Sequence, residues 1–77
     1  MKLSYDPKYN IAYLRLQEKR GEVNTIHISD ALNIDIAPDG SVYGIEFLNA
    51  NEQLAQAGAI EIANELTGQC AQIKITG

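Results

Sequence analysis

The stretch from Ala31 to Ala50, ALNIDIAPDGSVYGIEFLNA, constrains the fold more than any other, because it specifies two strands, the turn between them and the start of a further element. Leu32, Ile34 and Ile36 alternate with Asn33 and Asp35. Tyr43, Ile45 and Phe47 alternate with Gly44 and Glu46, and Pro38-Asp39-Gly40 separates the two runs. A period of two sends each apolar set to one side of an antiparallel pair. A two-residue turn at Asp39-Gly40, with φ > 0 at both positions, pairs Ile36 with Tyr43, Ile34 with Ile45 and Leu32 with Phe47. A three-residue loop would set Ile36 opposite Val42 and Ile34 opposite Gly44, dividing the apolar set between two faces. Face consistency therefore predicts the even loop.

The remaining segments are read relative to this hairpin. Leu3 and Tyr5 alternate with Lys2 and Ser4 until Asp6-Pro7 stops the run, since proline has no N–H to donate to a ladder. Ala12, Leu14 and Leu16 alternate with Ile11, Tyr13 and Arg15, followed by the turn residues Glu18 to Gly21. A three-residue loop Lys19-Arg20-Gly21 predicts Leu14 opposite Ile26 and Ala12 opposite Ile28, with Tyr13 beside His27 and Arg15 beside Thr25 on the outer face. After Leu48 the residues change to Ala, Gln, Glu and Leu, so a helix is expected from Asn49 to Asn51 onward, with Asn as cap and Glu52 at the positive end of the dipole. Its apolar stripe is Ala55, Ala59, Ile62, Ala63 and Leu66, with Gly58 in the middle and Thr67-Gly68 as the stop. Ala71, Ile73 and Ile75 suggest a final strand. The fold class expected is α+β: an antiparallel β-meander of four to five strands with one helix packed on one face, in a single domain spanning 1–77.

Chemistry is sparse. A domain of 77 residues buries only ~60% of its unfolded surface, and one cysteine, Cys70, allows no internal disulfide. MKLSYDP holds no apolar run of signal-peptide length, and no apolar run is long enough to span a bilayer, so a reducing cytoplasm and no membrane are expected. Ten acidic against six basic residues give a net charge of −4, which opposes direct binding of nucleic acid. His27, the only histidine, has no serine or cysteine nucleophile beside it in a recognisable motif and reads as a surface residue. Asp35 and Glu46 lie on the outer side of the hairpin. Together with His27 they form a polar cluster that would have to carry any divalent metal or small ligand, although calcium or magnesium asks for more oxygen ligands than this pair supplies. No catalytic residue, metal set or cofactor is assigned, and no enzymatic activity is expected.

Apolar residues on the outer side are more informative. Ile11, Tyr13 and Val42 fall on the sheet face opposite the expected core, and Ile60 projects away from the helical stripe. One helix covers only one side of a sheet, so these four residues are the candidate interface, with a homodimer or the capture of a partner protein as the expectation.

Tyr5-Asp6-Pro7, the run Ala12-Tyr13-Leu14-Arg15-Leu16, and Asp39-Gly40 through Gly44-Ile45-Glu46-Phe47-Leu48-Asn49-Ala50 together resemble DUF2283, small bacterial proteins of unknown function. The resemblance covers about the first fifty residues and departs from the family pattern at Asn49, for Asp, and Asn51, for Ser. Some members look like the antitoxin half of two-gene modules, so the resemblance makes an antitoxin-like protein one expectation, and the net charge of −4 with the uncovered sheet face points to a basic toxin as its partner; the resemblance brings no catalytic residues. The alternative function is a small-ligand or divalent-metal-binding protein.

Overall fold

The computed structural model describes residues 1–54 and 59–74. The alternating runs become β1 (Lys2–Asp6), β2 (Ile11–Arg15), β3 (Asn24–Ser29), β4 (Leu32–Ile36) and β5 (Val42–Leu48), followed by α1 (Ala50–Gln53), β6 (Ala59–Ala63) and β7 (Cys70–Lys74). The first five strands form one antiparallel sheet in the order β1-β2-β5-β4-β3, and β6 and β7 pair as a separate hairpin. The expected antiparallel sheet with one helix against it is present, joined by a second, smaller sheet.

The predicted pairing of β2 with β3 is corrected. β2 lies between β1 and β5, whereas β3 pairs only with β4 at the far edge. Leu14 faces Leu3 on one side and Ile45 on the other, so β2 has an aliphatic partner at each edge of a central position, with Ile45 in the place predicted for Ile26. Segment 16–20 instead folds back over β5. The Leu16 amide donates to Tyr43 O at 2.8 Å, and Gln17 Nε2 donates to Val42 O at 3.0 Å.

The organising hairpin is right in its centre and corrected at its tip. Leu32 pairs with Phe47 and Ile34 with Ile45 as predicted, but Ile36 pairs with Val42. The loop is the three-residue form: Ala37 N donates to Ser41 O at 2.8 Å, Gly40 N donates to Ala37 O at 2.9 Å, and Gly40 takes φ 90°. A bulge between Asp35 and Ile36 makes Tyr43 the extra residue, which restores the face-consistent pairing beyond it. The odd loop and the bulge cancel, so Ile34 and Leu32 keep the partners that an even loop would give them.

The predicted long helix is also corrected. α1 has four residues, with Asn49 entering it at φ 51° and donating no side-chain cap. One turn makes too few internal hydrogen bonds to nucleate by itself. It is held by tertiary contacts, with Ala50 fully buried and its N–H donating to Asn10 O at 3.0 Å. Asn10 and Asn51 exchange side-chain bonds, Nδ2 to Oδ1 at 2.6 Å and Asn51 N to Asn10 Oδ1 at 2.8 Å. Ile60 and Ile62, expected on helix faces, sit in β6, whose alternation Ala59-Ile60-Glu61-Ile62-Ala63 is that of a strand. Thr67-Gly68 does end an element, but it turns β6 into β7: Gly68 takes φ 77°, and Asn64 Oδ1 accepts from Leu66 N and Thr67 N. Leu66, placed in the helical stripe, is 95% exposed at that turn. The expectations for Ala55, Gly58 and Ile75 lie outside the described residues.

Candidate functional site

Tracing partners across the five strands resolves the sheet into rows. One row runs Leu3-Leu14-Ile45-Ile34-Ile26, an unbroken line of aliphatic side chains on a single face. Its neighbour on the same face contains Tyr5, Ala12, Phe47 and Leu32, and Ile36 with Val42 lies on the other side. No charged residue of the sheet belongs to this face. The opposite face carries the rows Ser4-Tyr13-Glu46-Asn33-His27 and Lys2-Arg15-Gly44-Asp35-Thr25.

The polar face is closed on itself. Tyr13 lies across the backbone of Gly44: a Cβ built on Gly44 would come 2.4 Å from the Tyr13 hydroxyl and 2.5 Å from its Cζ. Gly44 is therefore required for a close approach, not for an unusual φ. The Tyr13 hydroxyl donates to Asp35 Oδ2 at 2.8 Å, Thr25 Oγ1 donates to Asp35 Oδ1 at 2.7 Å, and Lys19 Nζ reaches Asp35 Oδ2 at 3.2 Å while lying 5.2 Å from the Tyr13 ring centre. Partial burial opposes ionisation of Asp35, but the hydrogen bonds from Thr25, Tyr13 and Lys19 and the lysine charge outweigh it and lower the carboxyl below its usual 3.8. The same contacts raise Lys19, mainly through its bond to Asp35, and Tyr13 is raised first by burial and then by its bond to Asp35. In the adjoining row, His27 Nδ1 donates to Asn33 Oδ1 at 2.9 Å and Asn33 Nδ2 donates to Glu46 Oε1 at 2.9 Å.

His27, Asp35 and Glu46 thus share a face but not a site, since each engages different neighbours. Among the described residues no three His, Cys, Asp or Glu side chains converge as a ligand set. The four candidate interface residues are likewise separated. Ile11 and Tyr13 are on the polar face, with Tyr13 engaged over Gly44, whereas Val42 is on the apolar face opposite Ile36. Ile60 and Ile62 line an apolar groove with Met1, Leu3 and Leu14, so the β6–β7 hairpin shields the β1–β2 end of the apolar face. At the other end Ile26 is 42% exposed, and Ile28, the extra residue of a bulge in β3, is 54% exposed.

Two contributors were not singled out from sequence. Thr25 was legible only as an outer-face strand residue. Tyr43 is 4% exposed, and its hydroxyl accepts from Arg20 N at 3.2 Å and donates to Arg20 O at 3.1 Å. It thereby pins the segment that delivers Lys19 to Asp35. The signal for Tyr43 lies in the apolar pattern, which keeps Ile34 opposite Ile45 across an odd loop only if one residue of β5 bulges.

With both faces in view, the chain can be placed. The profile of a protein of unknown function, DUF2283, matches residues 2–51. The chain belongs to the DUF2283 family. That span covers all five strands of the larger sheet and the first residues of α1, hence every row described above, and the β6–β7 hairpin lies beyond it. No curated protein and no solved structure matches this DUF2283 chain. Among the described residues no helix is long and apolar enough to cross a membrane.

Proposed function

We propose that this DUF2283 protein is a non-enzymatic binding and assembly module of the cytoplasm, and that the aliphatic face of its larger sheet is the surface at which it meets another polypeptide. One observation carries the reading. The Leu3-Leu14-Ile45-Ile34-Ile26 row spans the whole sheet, yet the only buried apolar residues are Ala12, Ala37, Tyr43 and Ala50 among the described residues. A row of large aliphatics of which none is buried, and which ends in Ile26 at 42% exposure with Ile28 at 54% beside it, is unfavourable in water and is normally covered. The polar face supports the non-enzymatic part, because its carboxylates are committed to Thr25, Tyr13, Lys19 and Asn33. Antitoxin-like capture of a basic partner is one form of this reading: the net charge of −4 would steer such a partner to the chain at long range, while the sheet's carboxylates lie on the face opposite the aliphatic one.

Site-specific photocrosslinking tests the surface. A benzophenone side chain in place of Ile28, exposed at the open end of the sheet, should give a discrete covalent adduct with a polypeptide when the protein is made at native level in its own host. A probe at Thr67, in the distant β6–β7 turn, should give none. Equal labelling from both positions, or no adduct from Ile28, overturns the reading.

A further inference from the structure

We infer that the occupant of the aliphatic face is a second copy of this chain, packed sheet against sheet about a two-fold axis; the inference rests on the assembly reading above and identifies its partner.

The first support is area. The chain exposes 5706 Å² for a mass of 8.4 kDa, whereas a folded monomer of that mass exposes roughly 4,600 Å². That excess of about 1,100 Å² belongs to the whole chain, the largely exposed β6–β7 hairpin included; on the aliphatic face it takes the form of Ile26 at 42% and Ile28 at 54% exposure. The radius of gyration, 13.8 Å, is likewise above the roughly 11.5 Å of a compact chain of this length, and the extents of 35 × 34 × 20 Å describe a slab. A slab with one apolar broad face is half of a sandwich. Two such sheets pack about 10 Å apart, with the inner side chains interdigitating.

The second support is charge. Every charged residue of the larger sheet, namely Lys2, Asp6, Arg15, Asp35 and Glu46, lies in the rows of the opposite face. A basic partner docked on the aliphatic face would therefore meet no carboxylate of the sheet there. A second copy docked the same way brings no like charge of the sheet into contact, despite the net −4 of each chain. The face is also suited to an isologous contact. The end of the face away from the β6–β7 hairpin, Ile45, Ile34 and Ile26, is wholly aliphatic, so an axis passing near Ile34 sets aliphatic on aliphatic and leaves the hairpin beside Leu3 and Leu14 outside the contact.

Sedimentation equilibrium of the full chain, from micromolar to millimolar concentration, should give twice the chain mass. Ile26→Glu should raise the dimer Kd by on the order of a hundredfold, with Ile26→Leu and Tyr9→Glu close to wild type. Because Ile26→Glu could perturb folding, circular dichroism accompanies it, and a second measurement uses no variant. In a mixture of isotopically labelled and unlabelled wild-type chains, intermolecular methyl contacts are expected among Ile26, Ile34 and Ile45. A wild type that stays monomeric at millimolar concentration overturns the second copy; a foreign polypeptide captured by the Ile28 probe would then leave the binding surface standing. A dimer without those methyl contacts, such as one pairing β3 edge to edge, overturns the sheet-on-sheet arrangement. A dimer with neither the contacts nor an Ile28 adduct overturns the surface reading as well.

Discussion

Gly44 and Tyr13 show how one missing side chain organises a face. The ring occupies the space a Cβ would need, and its hydroxyl then reaches Asp35, which also collects Thr25 and Lys19. Gly44→Ala should displace the ring and cost about 1 to 3 kcal/mol in chemical denaturation. Paired with Tyr13→Ala, it should cost clearly less than the sum of the two single changes, because the second change removes the clash. Asp35 sets the acid behaviour of the same cluster. Its folded pKa is lowered relative to 3.8, so its contribution to stability is fully present above that value and lost as pH falls through the folded pKa. Asp35→Asn should therefore flatten the acid limb of the stability–pH curve. Lys19 and Tyr13 are raised, so their contributions are present below their ordinary values and lost as pH rises through the folded ones. An unchanged acid limb in Asp35→Asn would assign that limb to other carboxylates.

Among the elements, the hairpin of β4 and β5 shows that register is a property of the whole ladder. A three-residue loop alone would send Ile34 opposite Gly44; the bulge at Tyr43 returns it to Ile45. The loop depends on Gly40 at φ 90°, where a Cβ meets nothing within 4 Å but the backbone is left-handed. Gly40→Ala should lower stability by about 1 to 2 kcal/mol without altering the fold, as read from the denaturation midpoint and an unchanged circular dichroism spectrum. The same reasoning revises what is expected of Val42: it faces Ile36 on the aliphatic side and takes its place with the core residues, not the outer ones.

For the whole molecule, the balance between one broad apolar face and a small buried core makes stability depend on what covers that face. Ile60 and Ile62 of the β6–β7 hairpin line a groove with Leu3 and Leu14, whereas Ile26 and Ile28 at the other end stay 42% and 54% exposed. If two copies fold together, dissociation accompanies unfolding and Tm rises with concentration, by roughly 4 °C for each tenfold increase at this chain length. Calorimetric scans over a hundredfold range of concentration check this, and a Tm independent of concentration argues against coupled assembly.

The alternation of Leu3, Leu14, Ile34, Ile45 and Phe47 was readable from the chain alone, because the period of two is a local geometric property of an extended backbone. With it came the antiparallel sheet and the central pairings of the main hairpin; the change of residue types after Leu48 marked the start of α1, and motifs from Tyr5-Asp6-Pro7 to Ala50 carried the resemblance that the family match over residues 2–51 bears out. Strand order was decided only in three dimensions, since β2 chooses between β3 and β5 by comparing contacts far apart in sequence. The fate of residues 59–63 was decided there too: a helix takes Ile62 into its stripe and turns Ile60 away from it, whereas a strand puts both on one face, and β7 supplies the ladder that selects the strand. Lys19, Tyr13, Thr25 and Asp35 come from three strands and a loop, and nothing in their spacing joins them. The tertiary fold brings them together because Gly44 leaves room for the Tyr13 ring and Tyr43 holds the loop that carries Lys19.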